Sequence, residues 1–340
     1  MKINRKNLQE ALEYVKPGLA GKEMIAQSTS FAFINGHVVT YNDEISVRHP
    51  VPNLGLEGAI EASSLYDFMK KIKGDEFDME ISGSEVKVSS GRTKAGFTLS
   101  AEVKLPLKEE IRIAGEWITL PEKFNQFLGF AMTSCSIDRS LDILTYVNVD
   151  ADGIIQATDT FRVCRCDLGE PTGIPSFLIR ASSAEEVVKL NPIEIQIDKG
   201  GGWVHFRTES ETIISCRLGG GKYKDVEPYC YVEGSKVQLP RMIESAIDRA
   251  MVFAKRPHIL DEEINFTFEK GKLHLSAGNE TGWIKEEFSM GYEGKLTEIT
   301  VTPYLLKSIL KETQDFTLGS EKLKFQGEGW IYVFVLKERK

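Results

Sequence analysis

Residues Ile155 to Leu168, IQATDTFRVCRCDL, carry the reading that decides the fold. An alternating strand enters the tripeptide Ala157-Thr158-Asp159, and a Phe161-Arg162-Val163 step leads into a second run of alternating apolar and polar residues. Two weaker echoes flank it. Val38 to Val47 (VVTYNDEISV) and Leu273 to Ile284 (LHLSAGNETGWI) each place a small residue and a polar Asn or Asp between alternating segments. The chain therefore reads as three copies of one module.

The spacing of the helical patterns supports that reading. Arg5 to Lys16 has Leu8, Leu12 and Val15 at helical intervals and stops at Pro17-Gly18. Leu120 to Thr133 and Leu239 to Lys255 both begin Leu-Pro, which places proline at the first helical position, where its missing N–H costs nothing. A second helix is expected in each copy after Ala62-Ser63-Ser64, Ala181-Ser182-Ser183 and Val301-Thr302-Pro303, with the serines and the threonine as N-cap candidates. Strand pairs turning at Asn35-Gly36, Asp152-Gly153 and Lys270-Gly271 fill the intervals, and further alternating runs follow each second helix. The expected fold class is α+β: modules 1–113, 114–234 and 235–340, each with two helices packed on antiparallel sheets.

The chain has 340 residues, 41% of them apolar and 27% charged, as in a globular protein. No apolar run is long enough for a membrane span, and MKINRK is followed by Asn7, Gln9 and Glu10 instead of an apolar signal core, so the cytoplasm is the expected location. The five cysteines are odd in number and sit on or beside strands, which favours buried thiols over a disulfide framework. Cys164 and Cys166 share a strand face as a metal half-site would. No second pair with usable spacing follows, so neither a metal nor another cofactor is expected.

The net charge of −8 is unevenly placed: −1 in the first module, −7 in the second and zero in the third. The six helical windows together carry +5, leaving −13 for the rest. A cationic helix set on an acidic protein suits a nucleic-acid surface, and equally suits a solvated helix face. The helices have no compact Arg/Asn/Gln reading face and no run of aromatics, so any DNA contact should be directed at the backbone and blind to sequence.

With MKI and Asn7-Leu8 at its start, VKVSSGRTKAGFTLS in the first module, QATDTFRVCRCDL in the second and VTPYLLKSIL in the third, the chain resembles the bacterial and phage-type DNA polymerase III beta subunits, the DNA sliding clamps. The resemblance implies a head-to-tail homodimer ring. Helices would line a hole around duplex DNA, and a polymerase and a clamp loader would dock by a short peptide motif. Such a protein is a processivity factor and not an enzyme.

Carried over residue by residue, the peptide pocket between the second and third modules would comprise Leu144, Thr158, Thr160, Arg162, Val163, Pro228, Tyr229, Val333, Val335 and Leu336. DNA would be faced by Arg5, Lys6, Lys22, Lys70, Lys71, Lys73, Arg139, Arg241 and Arg249. The ring joint would set Leu105 against Val252 and Phe253. For these residues the competing assignments are ordinary core for the apolar members and solvated surface for the cations. The family often has Gly-His where Thr160-Phe161 stand, and often a short apolar tail where this chain ends Leu336-Lys-Glu-Arg-Lys340. An altered rim and altered peptide specificity follow from that.

Two other functions compete. A clamp-derived, phage-type scaffold would keep the pocket or the ring for a different partner. An enzyme would have to use Asp159 beside Arg162, since the five histidines are scattered and no phosphate loop or nucleophile elbow is present.

Overall fold

The structure, a computed structural model, describes residues 1–198, 200 and 202–337. Along the chain the order strand, helix, three strands, strand, helix, three strands occurs three times. The longer helices are Arg5–Val15 and Ala62–Lys71, then Phe124–Met132 and Ala181–Leu190, then Ile243–Ala254 and Pro303–Leu310. Each is amphipathic, and one stripe of each packs inward. In the first helix that stripe is Leu8, Ala11, Leu12 and Val15, at the spacing that brings side chains onto one helical face. Among the described residues no helix is long and apolar enough to cross a membrane.

The chain divides into two compact units, 1–126 with 172–220 and 127–171 with 221–340. In the first unit a long antiparallel sheet runs Gly58–Glu61, Ser30–Ile34, His37–Tyr41, Ile45–Pro50, Ile213–Arg217, Trp203–Arg207, Glu194–Asp198 and Ile118–Thr119. Its middle joint pairs Arg48 with Ile213 and Ile45 with Cys216. A smaller sheet runs Lys2–Asn4, Glu76–Ser82, Glu85–Ser90 and Thr93–Thr98. The core here includes Ala32, Tyr41, Ala59, Leu105 and Trp203. Arg217 lies 4.6 Å over the Trp203 ring while its guanidinium reaches Asp43 at 2.6 Å.

The second unit repeats the arrangement. Tyr146–Val149, Ile154–Thr158, Arg162–Asp167, Trp330–Val335, Lys322–Gly327, Asp315–Leu318 and Ser235–Gln238 follow one another in one sheet, with Arg162 opposite Phe334 and Cys166 opposite Trp330. Gly282–Ser289, Lys272–Asn279, Ile264–Glu269 and Thr297–Val301 form another. In both long sheets a strand that would otherwise end a meander finds a partner from a distant part of the sequence. Backbone donors and acceptors that would template aggregation are thereby satisfied.

Local chemistry departs from expectation at the helix starts. Glu61, not a serine, caps Ala62–Lys71: its carboxylate accepts from the backbone N–H of Ser63 and Ser64 at 3.1 and 2.8 Å. The serines lie inside the first turn. Arg180 and Thr302 precede the helices Ala181–Leu190 and Pro303–Leu310 without a side-chain cap bond. Pro303 does occupy the first helical position. Pro121 and Pro240 do not; each heads a preceding turn, with its carbonyl accepting from the N–H of Phe124 or Ile243. The Asn35-Gly36 turn has φ of 49° and 71°, the left-handed pair that a two-residue hairpin needs.

Candidate partner-binding site

The site is built on the turn between Ile154–Thr158 and Arg162–Asp167. Asp159 closes the turn on itself: its Oδ1 accepts from the backbone N–H of Phe161 and of Arg162, both at 3.0 Å. The Thr158 hydroxyl donates to the Arg162 carbonyl at 2.7 Å and accepts from the Thr160 N–H at 3.1 Å. This mesh holds Thr160 at φ 77°, a left-handed conformation unusual for a β-branched residue, and leaves Phe161 45% exposed at the rim.

Arg162 turns the other way. It is 2% exposed, its Nε donates to Asp159 Oδ2 at 2.9 Å, its Nη2 donates to the Tyr304 hydroxyl at 3.3 Å, and its guanidinium lies 4.9 Å over the Tyr304 ring. Burial works against the charge, but Tyr332, Asp159 and Tyr304 outweigh it and raise the Arg162 pKa above its ordinary value. A solvated strand-end arginine is thereby excluded. Both Asp159 oxygens accept hydrogen bonds in this architecture, which suits a structural turn.

In front of this pair opens an apolar cavity of about 280 Å³. Leu144, Thr158, Thr160, Arg162, Val163, Tyr229, Val333 and Val335 line it; Pro228 and Leu336 do not. Pro228 sits in the one-turn helix Glu227–Tyr229 that presents Tyr229. The Leu336 backbone N–H bonds the Glu321 carbonyl, which holds the chain alongside the neighbouring strand. Residue-by-residue carry-over did not include Ile143, Phe161, Lys222, Tyr223, Lys224, Val226, Lys322 and Phe334, which also line the cavity. The signal for several of them was present in the sequence: Tyr223 and Val226 share one short loop with Pro228 and Tyr229. Tyr223 is a structural member, since its hydroxyl accepts from the Thr158 N–H at 3.0 Å.

The charged end of the chain begins as a paired residue. The Lys337 N–H bonds the Thr300 carbonyl, and its ammonium lies 3.4 Å from Glu263. Residues 338–340 of that end lie outside the described residues.

The expected DNA-facing cations divide. Lys6, Lys22, Lys70, Lys71, Lys73, Arg139 and Arg241 are exposed. Lys6 lies 3.7 Å from Glu10, and Lys70 stacks 5.0 Å over the Tyr66 ring. Arg5 is drawn in, its Nε donating to the Gly74 carbonyl at 2.9 Å. Arg249 is committed: its Nε and Nη2 donate to the two oxygens of Glu286 at 2.7 and 2.6 Å, which cancels much of the charge it could offer a phosphate.

Of the joint residues, Val252 is 58% exposed and Phe253 half-buried against Gly282. Leu105 is 7% exposed and packed in the Trp203 cluster with Val103, Leu107 and Ile111 around it. Cys164 and Cys166 do share a strand face, with sulfurs 3.7 Å apart and fully buried. Burial pushes the Cys164 thiol well up. Among the described residues no group of three or more potential ligands could hold a metal.

The chain matches no protein-family model and no curated protein by sequence. Solved structures give a different result. The DNA polymerase III beta chain of Streptococcus pneumoniae superposes with a TM-score of 0.83 at 17% identity, covering 99% of each chain. The Bartonella birtlesii sliding clamp, solved with griselimycin, gives 0.83 at 18% identity over 100% of this chain and 99% of that one. Its Pseudomonas aeruginosa counterpart gives 0.81 at 17% identity over 100% and 99%. The fold is that of the DNA sliding clamps.

Proposed function

We propose that the protein is a DNA sliding clamp, a processivity factor without catalytic activity of its own. Three modules, 1–113, 114–234 and 235–340, would close with a second copy into a ring around duplex DNA. A polymerase and a clamp loader would dock by a short peptide in the cavity beside Arg162. The observation that carries this reading is that cavity: an apolar recess backed by a buried ion pair, on a chain whose whole length has the clamp fold. Tethering by topology then raises the polymerase's effective concentration at its template, and weak backbone contacts are an advantage because the ring must slide. Val252 and Phe253 supply apolar surface for the joint, and the exposed lysines of the first module's helices supply the DNA-side charge.

A crosslinked dimer assembled on nicked circular DNA should co-elute with the circle and be released when the DNA is linearised. Equal loss from circular and linear DNA would sink the clamp reading. Peptide binding in the cavity combined with that equal loss would instead support the clamp-derived scaffold with another partner.

A further inference from the structure

We propose that Arg217 is a built-in stopper that shuts a second partner recess, in the first unit, and so leaves each chain one peptide site. The inference rests on the partner-pocket reading above and adds what fixes the number of sites. The two long sheets match strand for strand, and the turn between His37–Tyr41 and Ile45–Pro50 is the counterpart of the turn that carries Arg162. Its hydrogen bonds are the same. Asn42 Oδ1 accepts from the N–H of Glu44 and Ile45 at 3.1 and 2.8 Å, as Asp159 Oδ1 does from Phe161 and Arg162. Asp43 takes φ 76° where Thr160 takes 77°. The Arg217 N–H bonds the Glu44 carbonyl as the Val335 N–H bonds that of Phe161, both at 2.9 Å. Strand register then puts Tyr41, Asp43, Trp203 and Arg217 where Thr158, Thr160, Lys322 and Val335 stand in the second unit.

In the second unit those four residues line the open recess. In the first unit the place is filled: Trp203 is completely buried and Tyr41 is 1% exposed, with ring centroids 6.1 Å apart. Arg217 lies across the Trp203 ring, its Nε donating to the Asp43 carbonyl at 2.7 Å and its Nη2 to Asp43 Oδ1 at 2.6 Å and Glu110 Oε2 at 3.3 Å. Glu110 belongs to the connector between the first two modules, whose Leu107 and Ile111 pack on the same cluster. The connector is thereby held down where, in the second unit, a partner's apolar side chains would enter. The ion pairs are half-exposed and contribute little, so the hold resides in the stacking and in the bond to the turn's carbonyl. Val335, at the counterpart position, can make neither with its side chain.

The test uses the full chain and a fluorescein-labelled short peptide with leucine and phenylalanine anchors, titrated to saturation, with hydrogen exchange locating each bound copy. The native chain should bind one peptide and protect amides near Thr158–Val163. Arg217→Val, which installs the counterpart residue, should bind two, and the second should protect amides of 41–46 and 105–111. A variant that stays at one peptide, or a native chain that already binds two, overturns the stopper and leaves the pocket standing. The reciprocal variant Thr160→Asp/Lys322→Trp/Val335→Arg moves the stopper into the second unit, whatever the first unit tolerates. It should weaken peptide binding about tenfold or more, and affinity equal to the native value likewise overturns the stopper. A native chain that binds no peptide overturns the pocket reading, and the stopper with it, since nothing is left to exclude.

Discussion

At the scale of single residues the decisive feature is the direction in which Arg162 points. A sequence gives a strand-end arginine no orientation, and the alternatives of solvated surface and pocket wall are equal on paper. The turn settles it, because Asp159 accepts the Phe161 and Arg162 N–H groups with one oxygen and presents the other to the Arg162 Nε. Replacing Arg162 by Ala leaves a carboxylate buried without its counter-ion, which costs on the order of 3–5 kcal/mol. Urea unfolding should show that loss, and adding Asp159→Asn should recover part of it by removing the orphaned charge.

A second residue gives a pH signature. His205 is completely buried, its Nδ1 2.8 Å from the Ser215 hydroxyl, and burial pushes its pKa down to about 4. The unfolded chain takes up that proton near the ordinary value of about 6.5. Between those values the unfolded state binds more protons, so this residue's share of stability is intact above about 6.5 and is lost as pH falls toward 4, to a limit of about 3 kcal/mol. His205→Gln should flatten the fall in unfolding free energy between neutral pH and pH 4.5; an unchanged slope would assign the acid sensitivity to other groups.

At the scale of elements the strand and helix order could be read from periodicity, since alternation and helical spacing are properties of the chain itself. The caps could not. Ser63 and Ser64 are good capping residues in isolation, but the cap is fixed by where the preceding strand delivers the chain. In the second helix that position falls on Glu61. Glu61→Ala should therefore cost about 1 kcal/mol, as other cap deletions do. Ser63→Ala and Ser64→Ala should cost less, and thermal unfolding of the three variants ranks them. The pairing of Arg162–Asp167 with Trp330–Val335 lay equally beyond the sequence, because a partner strand more than a hundred residues away leaves no periodic mark. Lys322 entered the cavity wall through that pairing, whereas Lys222 and Lys224 could have been found by their nearness to Tyr229.

Over the whole molecule the question is how an acidic chain, net −8, could hold a polyanion. Module-level charge made the helices the natural place for DNA contacts, but a charge count cannot tell a free cation from a neutralised one. Arg249 shows the difference. Its guanidinium is bound by both oxygens of Glu286, so it adds little field at a phosphate. Lys70 and Lys71, in the last turn of Ala62–Lys71, are exposed. Lys70→Gln/Lys71→Gln should weaken binding to duplex DNA of any sequence and reduce its salt dependence by about one to two counterions. Arg249→Gln alone should change both quantities little. Glu286→Gln should do the opposite of the lysine pair, because it releases the Arg249 charge and strengthens sequence-independent binding at low salt. The measurement is the slope of log affinity against log salt for one duplex and the native protein beside the three variants. If Arg249→Gln flattens that slope as much as the lysine pair does, the Glu286 contact yields to DNA, and the helix starting at Ile243 contributes to the DNA-facing surface after all.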